Sequence, residues 1–201
     1  MSKEHKQEKL EQQHELEAQR PLVDMKTHIL TVAAGLMLEK GTKDTSLKDI
    51  AKEAGISKGT LYYYYSAKDD IICDLADRNL TQITDELTKW MRRLAPELPP
   101  KAILRTLFET MLEDETRARL HFHLLNDALT SSPALAEKFR ERYGTWRAGL
   151  RDALLPVMPG DPAKCDALAA LVLALIDGLS VQKVCGVGDL PLSGIFDIIF
   201  R

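Results

Sequence analysis

The chain has 201 residues, 45% of them apolar, and 27 Lys and Arg against 30 Asp and Glu give a formal charge of −3. That length suits one or two compact units, and the slightly negative balance excludes a wholesale basic coat while leaving room for a local basic face. Three cysteines, Cys73, Cys165 and Cys185, lie far apart with no C-x-x-C pair. They indicate neither a disulfide framework nor a zinc knuckle, and reduced thiols in a cytosolic protein are the expectation.

Residues 1–24 are read as a flexible polar extension, because residues 1–20 mix charges and carry almost no large apolar side chain. Lacking an apolar core, this stretch does not have the pattern of a signal peptide. Thr27 is placed as the cap of a first helix whose Ile29, Leu30, Val32, Ala33, Leu36 and Met37 recur at the helical period. Gly41 ends it.

Next comes TSLKDIAKEAGISKGTLYYYYSAK, Thr45–Lys68. Ser46 three residues before Asp49 starts a short helix with Leu47, Ile50, Ala51 and Ala54 on one side. Gly55 stops it in a left-handed conformation that costs a residue without Cβ nothing. Ser57 caps a second helix, Lys58–Tyr65, with Leu61 and Tyr65 facing inward and Lys58, Thr60, Tyr62 and Tyr63 outward. Two short helices around a tight turn make a helix-turn-helix. Its segment is net +2, from Lys48, Lys52, Lys58 and Lys68 against Asp49 and Glu53.

The string IAKEAGISKGTLYYYYSAKDDII resembles the DNA-binding signature of the TetR/AcrR family of transcriptional regulators, and THILTVAAGLMLEKG before it resembles that family's first helix. The likeness covers about Lys26–Ile72, roughly a quarter of the chain, with a weaker echo in ALIDGLSVQK. It departs in the four tyrosines, where family members often carry histidine and phenylalanine. With the resemblance, residues 25–72 are expected to bind DNA, the first turn of the second helix entering the major groove. Lys58, Gly59 and Thr60 are then near base edges. Tyr62, Tyr63, Tyr64 and the hydroxyls of Thr45, Ser46 and Ser57 are assigned to phosphates, with Lys68 as a further phosphate clamp.

Ser66 is read as the cap of a long helix, with Asp69 and Asp70 in its first turn and apolar positions continuing through Trp90 towards Pro96. Breaks at Pro99-Pro100, Asp114, Ser131–Pro133, Pro159–Pro162 and Gly186–Pro191 then leave helical segments near 101–113, 115–130, 133–157, 162–184 and 193–200. The fold class predicted is all-α, a three-helix head on a larger helical domain, residues 73–201, that binds ligand and dimerises. The apolar run Ala167–Ile176 is about half the roughly 20 residues a bilayer requires, so no membrane partner is expected.

Two wide apolar stripes near the C-terminus predict a homodimer. One holds Leu168, Leu171, Val172, Leu175, Ile176 and Leu179; the other Ile195, Phe196, Ile198 and Ile199, of which Ile195, Ile198 and Ile199 are assigned to the interface. The resemblance implies the same four-helix contact. Large or adaptable side chains, Trp90, Met91, Phe108, Met111, Phe122, Leu125, Tyr143, Trp146 and Met158, are candidates to line a ligand cavity. His121, His123, Asn126 and Gln182 are its candidate polar contacts. His121 and His123, two apart, point to different sides of a helix and make no metal site. No phosphate loop, nucleophile elbow or H-E-x-x-H run is present, so neither enzyme activity nor a cofactor is expected.

Together these readings predict a cytoplasmic regulator that binds a pseudo-palindromic double-stranded operator, most simply a repressor released by a small hydrophobic or amphipathic effector. The alternative is a helix-turn-helix-like module that docks proteins without operator DNA.

Overall fold

The structure, a computed structural model, describes residues 25–92, 100–156 and 161–199. The N-terminal extension, the approach to Pro96 and Met158 lie outside the described residues. Among those described, helices and turns alternate without a strand. The chain divides into two units between Leu75 and Ala76.

The first unit holds α1 (residues 25–40), α2 (Leu47–Glu53), α3 (Lys58–Tyr64) and the opening turns of α4 (Lys68–Arg92). Ile29, Ala33 and Met37 of α1 are fully buried, as are Ile50, Ile71 and Leu61, at 1% exposure or less. Gly41 closes α1 at φ +87° and donates its N–H to the Met37 carbonyl at 2.9 Å. α4 starts one residue later than expected. Asp70, rather than a Ser66 cap, accepts from the Ala67 N–H (2.9 Å) and the Ser66 hydroxyl (2.7 Å).

The second unit contains the rest of α4, then α5 (Pro100–Glu113), α6 (Glu115–Thr130), α7 (Pro133–Leu154), α8 (Pro162–Val184) and α9 (Leu192–Ile199). The sequence breaks become caps: Asp114, Ser132 and Asp161 accept from the N–H groups of Arg117, Leu135 and Lys164 at 2.9, 3.3 and 3.0 Å. Pro133 and Pro162 open α7 and α8, where a missing N–H is harmless. Phe108 of α5 and Phe196 of α9 pack edge to face at 5.3 Å, both fully buried.

α8 carries apolar residues on every face. Its 23 residues and mean hydropathy of 1.7 reach the length and composition of a membrane span, although the run Ala167–Ile176 alone falls short. One face, with Cys165, Ala169, Val172 and Leu179, is buried in the unit, where α8 packs on α5, α6 and α7. Core helices pass the same test, so this is weak evidence for a membrane.

That burial corrects the expected interface. Val172 and Leu179 belong to the chain's own core, and Ile176 lines an internal cavity. Leu168 and Leu175 are half-buried, while Leu171 is exposed in line with Ala167, Ala174, Gly178 and Val181. On α9, Ile195 and Ile199 are half-buried and Ile198 is 72% exposed.

Candidate nucleic-acid interface and internal cavity

In the head, the Ser46 hydroxyl donates to Asp49 Oδ2 (2.7 Å) and accepts from the Asp49 N–H (3.2 Å), while Asp49 also accepts from the Ser46 N–H. These bonds, with Lys40 beside them at 3.2 Å, hold the Asp49 carboxyl down to about 2. Gly55 takes φ +66°, and the Ile56 N–H reaches back to the Ala51 carbonyl at 3.0 Å, so the chain reverses within one residue of α2. Ser57 caps α3 by accepting from the Thr60 N–H at 3.0 Å, and the two hydroxyls lie 2.8 Å apart.

The buried side of α3 is fixed by Leu61 and by Tyr65, whose hydroxyl donates to Asp74 at 2.9 Å. Lys26 of α1 reaches the same carboxylate at 3.1 Å and lies over the Tyr65 ring. Burial raises the Tyr65 phenol above its ordinary value, with the Asp74 hydrogen bond second. The opposite side presents Lys58, Gly59, Tyr62 and Tyr63 to solvent, with Tyr63 73% exposed. Tyr64, half-buried, supports Tyr63 edge-on at 5.1 Å.

Two residues assigned to phosphates face elsewhere. Thr45 is 1% exposed and its hydroxyl donates to the Gly41 carbonyl at 2.8 Å, so it ties the α1–α2 turn. Lys68 Nζ is half-buried and donates to the Thr42 carbonyl at 2.8 Å. An ammonium held there closes the same turn. Sequence alone assigned both to phosphates because the turn's carbonyls have no signature until the backbone is folded.

In the helical unit, α4, α5, α6, α7 and α8 line a cavity with about 50 Å³ open to the centres of water-sized groups. One water centre needs roughly 10–15 Å³, so several waters or one small organic group fit. Met111, His121, Phe122, Tyr143 and Trp146, all expected, line it together with Ile83, Leu87, Ala118 and Leu173. The other candidates are placed differently. Trp90 and Phe108 are buried away from the lining, and Asn126 and Gln182 are exposed. Leu125 and His123 are half-buried outside it, and Met91 packs where a Gly149 side chain would stand.

Sequence reasoning missed Arg117, Asp177 and Ser180 in the wall. The Asp177 signal was available: it is the carboxylate that interrupts the α8 apolar run. Arg117 is ion-paired to Glu86. His121, 5% exposed, is pushed down to about 4 by burial, with the Arg117 charge second. Burial raises both the Tyr143 phenol and the Asp177 carboxyl. Trp146 Nε1 donates to Thr84 Oγ1 at 2.8 Å, which fixes the indole against α4. Among the described residues no cluster of His, Cys, Asp and Glu could hold a metal.

Two family models match. "Bacterial regulatory proteins, tetR family" covers residues 29–74, and "BetI-type transcriptional repressor, C-terminal" covers residues 100–195. The chain is a member of the TetR family. It is similar to the HTH-type transcriptional repressor KstR2 of Rhodococcus jostii, 31% identical over 63% of this chain and 66% of that one. HTH-type transcriptional regulator AcrR of Shigella flexneri is 28% identical over 51% of this chain and 48% of its own. The TetR-family chain thus spans about two thirds or less of these relatives. Both are transcriptional regulators by name. Among solved structures, a transcriptional regulator from Aquifex aeolicus VF5 has the same fold, with a TM-score of 0.69 over 88% of this chain and 99% of that one at 22% identity. Family membership does not favour the protein-docking alternative.

Proposed function

We propose that this TetR-family chain is a cytoplasmic, homodimeric repressor that binds a pseudo-palindromic DNA operator and leaves it when a small molecule fills the cavity. The observation that carries the reading is the capped α3, which turns Lys58, Gly59, Tyr62 and Tyr63 to solvent while Leu61 and Tyr65 fix its other side. Lys58 donates to guanine in the major groove, and the Thr60 methyl packs against thymine. Tyr62, Tyr63 and the Ser46 and Ser57 hydroxyls position the head on phosphates.

Paired heads of this kind occupy successive major grooves about 34–36 Å apart. An effector acts by preferring a different spacing, and a preference of about 1–3 kcal/mol is enough. α4 is the candidate lever. It begins with Lys68, bonded to the α1–α2 turn, and further along carries Asn79 and Thr84, bonded to His121 and Trp146.

Selection from a random duplex library followed by binding across a salt series tests the reading. The expected outcome is an enriched inverted repeat and an affinity that falls steeply with salt as counterions are released. A pool that enriches no sequence, bound without salt dependence, overturns it.

A further inference from the structure

We infer that the cavity of the helical unit takes a small organic cation, an ammonium group on an apolar body, with the Asp177 carboxylate as its counter-charge. This deepens, and rests on, the reading of that cavity as the effector site.

The hydrogen bonds around Asp177 all run in one direction. Tyr143 donates its hydroxyl proton to Asp177 Oδ2 at 2.7 Å. That proton being committed, His121 Nε2, 3.2 Å from the Tyr143 hydroxyl oxygen, must be the donor to that oxygen. His121 Nδ1 is then an acceptor, and it faces the Asn79 amide Nδ2 at 3.3 Å. Three side chains, from α4, α6 and α7, therefore point their donors one way, towards the Asp177 carboxyl on α8. The tautomer follows from the network, because a neutral imidazole donates through one nitrogen only.

No cation completes this chain. Arg117 is paired with Glu86, and His121 stays neutral across the physiological range because it is buried. Among the described residues, Asp177 has no ion-pair partner; its contact is the Tyr143 hydroxyl. Asp177 is thus the acidic group of the wall without an ion-pair partner, and because burial raises its carboxyl, its charged form gains most from a ligand that brings the opposite charge. The remaining wall fits the other end of such a ligand. Phe122, Tyr143 and Trp146 put aromatic rings, a residue class that attracts cations, in the lining, and Ile83, Leu87 and Leu173 add apolar surface. An organic anion would meet Asp177 with like charge, and a neutral molecule would leave it uncompensated.

The test compares n-butyl-, n-hexyl- and benzylammonium with the alcohol and the carboxylate of each skeleton, read by tryptophan fluorescence and by displacement of the protein from selected duplex DNA. The ammonium of each set should bind about tenfold more tightly than its alcohol, and the carboxylate most weakly. Asp177→Asn, checked for folding by its thermal melt, should reduce the ammonium preference to about twofold or less. Tyr143→Phe keeps the charge and removes its donor, so it should retain the preference. The inference fails if alcohols or carboxylates bind as well as ammonium ions. It also fails if Asp177→Asn keeps the full preference, or if no ammonium binds at millimolar concentration. A protein that binds its selected duplex but ignores ammonium ions sinks this inference alone. One that shows the charge preference but selects no duplex sinks the regulator reading alone.

Discussion

Gly55 holds a backbone state that a residue with a Cβ would resist, and burial keeps His121 neutral well below the pH at which a free imidazole takes up a proton. At Gly55 the backbone stands at φ +66°, and a Cβ added there would meet nothing within 4 Å. The cost of Gly55→Ala is therefore conformational alone, about 1–2 kcal/mol, and urea unfolding should show it without a change in the slope of unfolding against urea. At His121 burial keeps the imidazole neutral, so the unfolded chain binds its proton more readily than the folded one. Stability from this group is complete above about pH 6.5 and is lost as pH falls towards about 4, by at most about 1.4 kcal/mol per pH unit. Asp177, raised by burial, acts in the opposite sense at the acid end, because the folded carboxyl holds its proton more tightly. Urea melts between pH 5 and 7 should thus fall more steeply in the natural chain than in His121→Gln. Equal slopes would contradict the assignment.

At the scale of elements, α3 is short, and its caps and buried face hold it rather than its own propensity. Ser57→Ala should cost about 1 kcal/mol of stability through the lost Thr60 N–H bond. It should also blunt the α3 start that presents Lys58. Lys58→Ala should leave the melt unchanged and weaken specific duplex binding by about 1–3 kcal/mol with relaxed base preference. Fluorescence anisotropy on matched and mismatched duplexes reads both. α9 depends on one side chain more than any other. Phe196 is fully buried against Phe108, so Phe196→Ala should destabilise by about 3–5 kcal/mol. The remaining link from α5, the Lys101–Asp197 pair, is exposed and adds little.

For the whole molecule, the outer stripe of α8 is the face left open for the proposed contact between two chains. Leu171, Ala174, Gly178 and Val181 are exposed along one line, whereas Val172 is fully buried one residue away. Leu171→Glu should raise the dimer dissociation constant by at least about tenfold, because a charge in an apolar contact loses its hydration without a partner. Sedimentation should then show a folded monomer at micromolar concentration. Val172→Glu should instead unfold the helical unit. A natural chain that sediments as a monomer would remove the dimer from the account.

Periodicity and caps, which are local, were legible in the sequence by itself. Gly41 and Gly55 stop helices, and Asp114, Ser132 and Asp161 start them where the breaks predicted, because each acts on backbone groups only a few residues away. The exposed side of α3 and the family likeness were legible for the same reason, as residue types at fixed offsets. What only the tertiary structure decided is which side of a helix with apolar residues all round is inside. α8 has no amphipathic stripe, so its composition could not assign Val172 and Leu179 to the core, Ile176 to the cavity and Leu171 to the surface. Nor could it place Asp177 against Tyr143, since a hydrogen bond between residues 34 apart depends on how two helices cross. Thr45 and Lys68 turned inward on the same principle: their partners are carbonyls that exist as unsatisfied acceptors only once α1 has ended and the chain has turned.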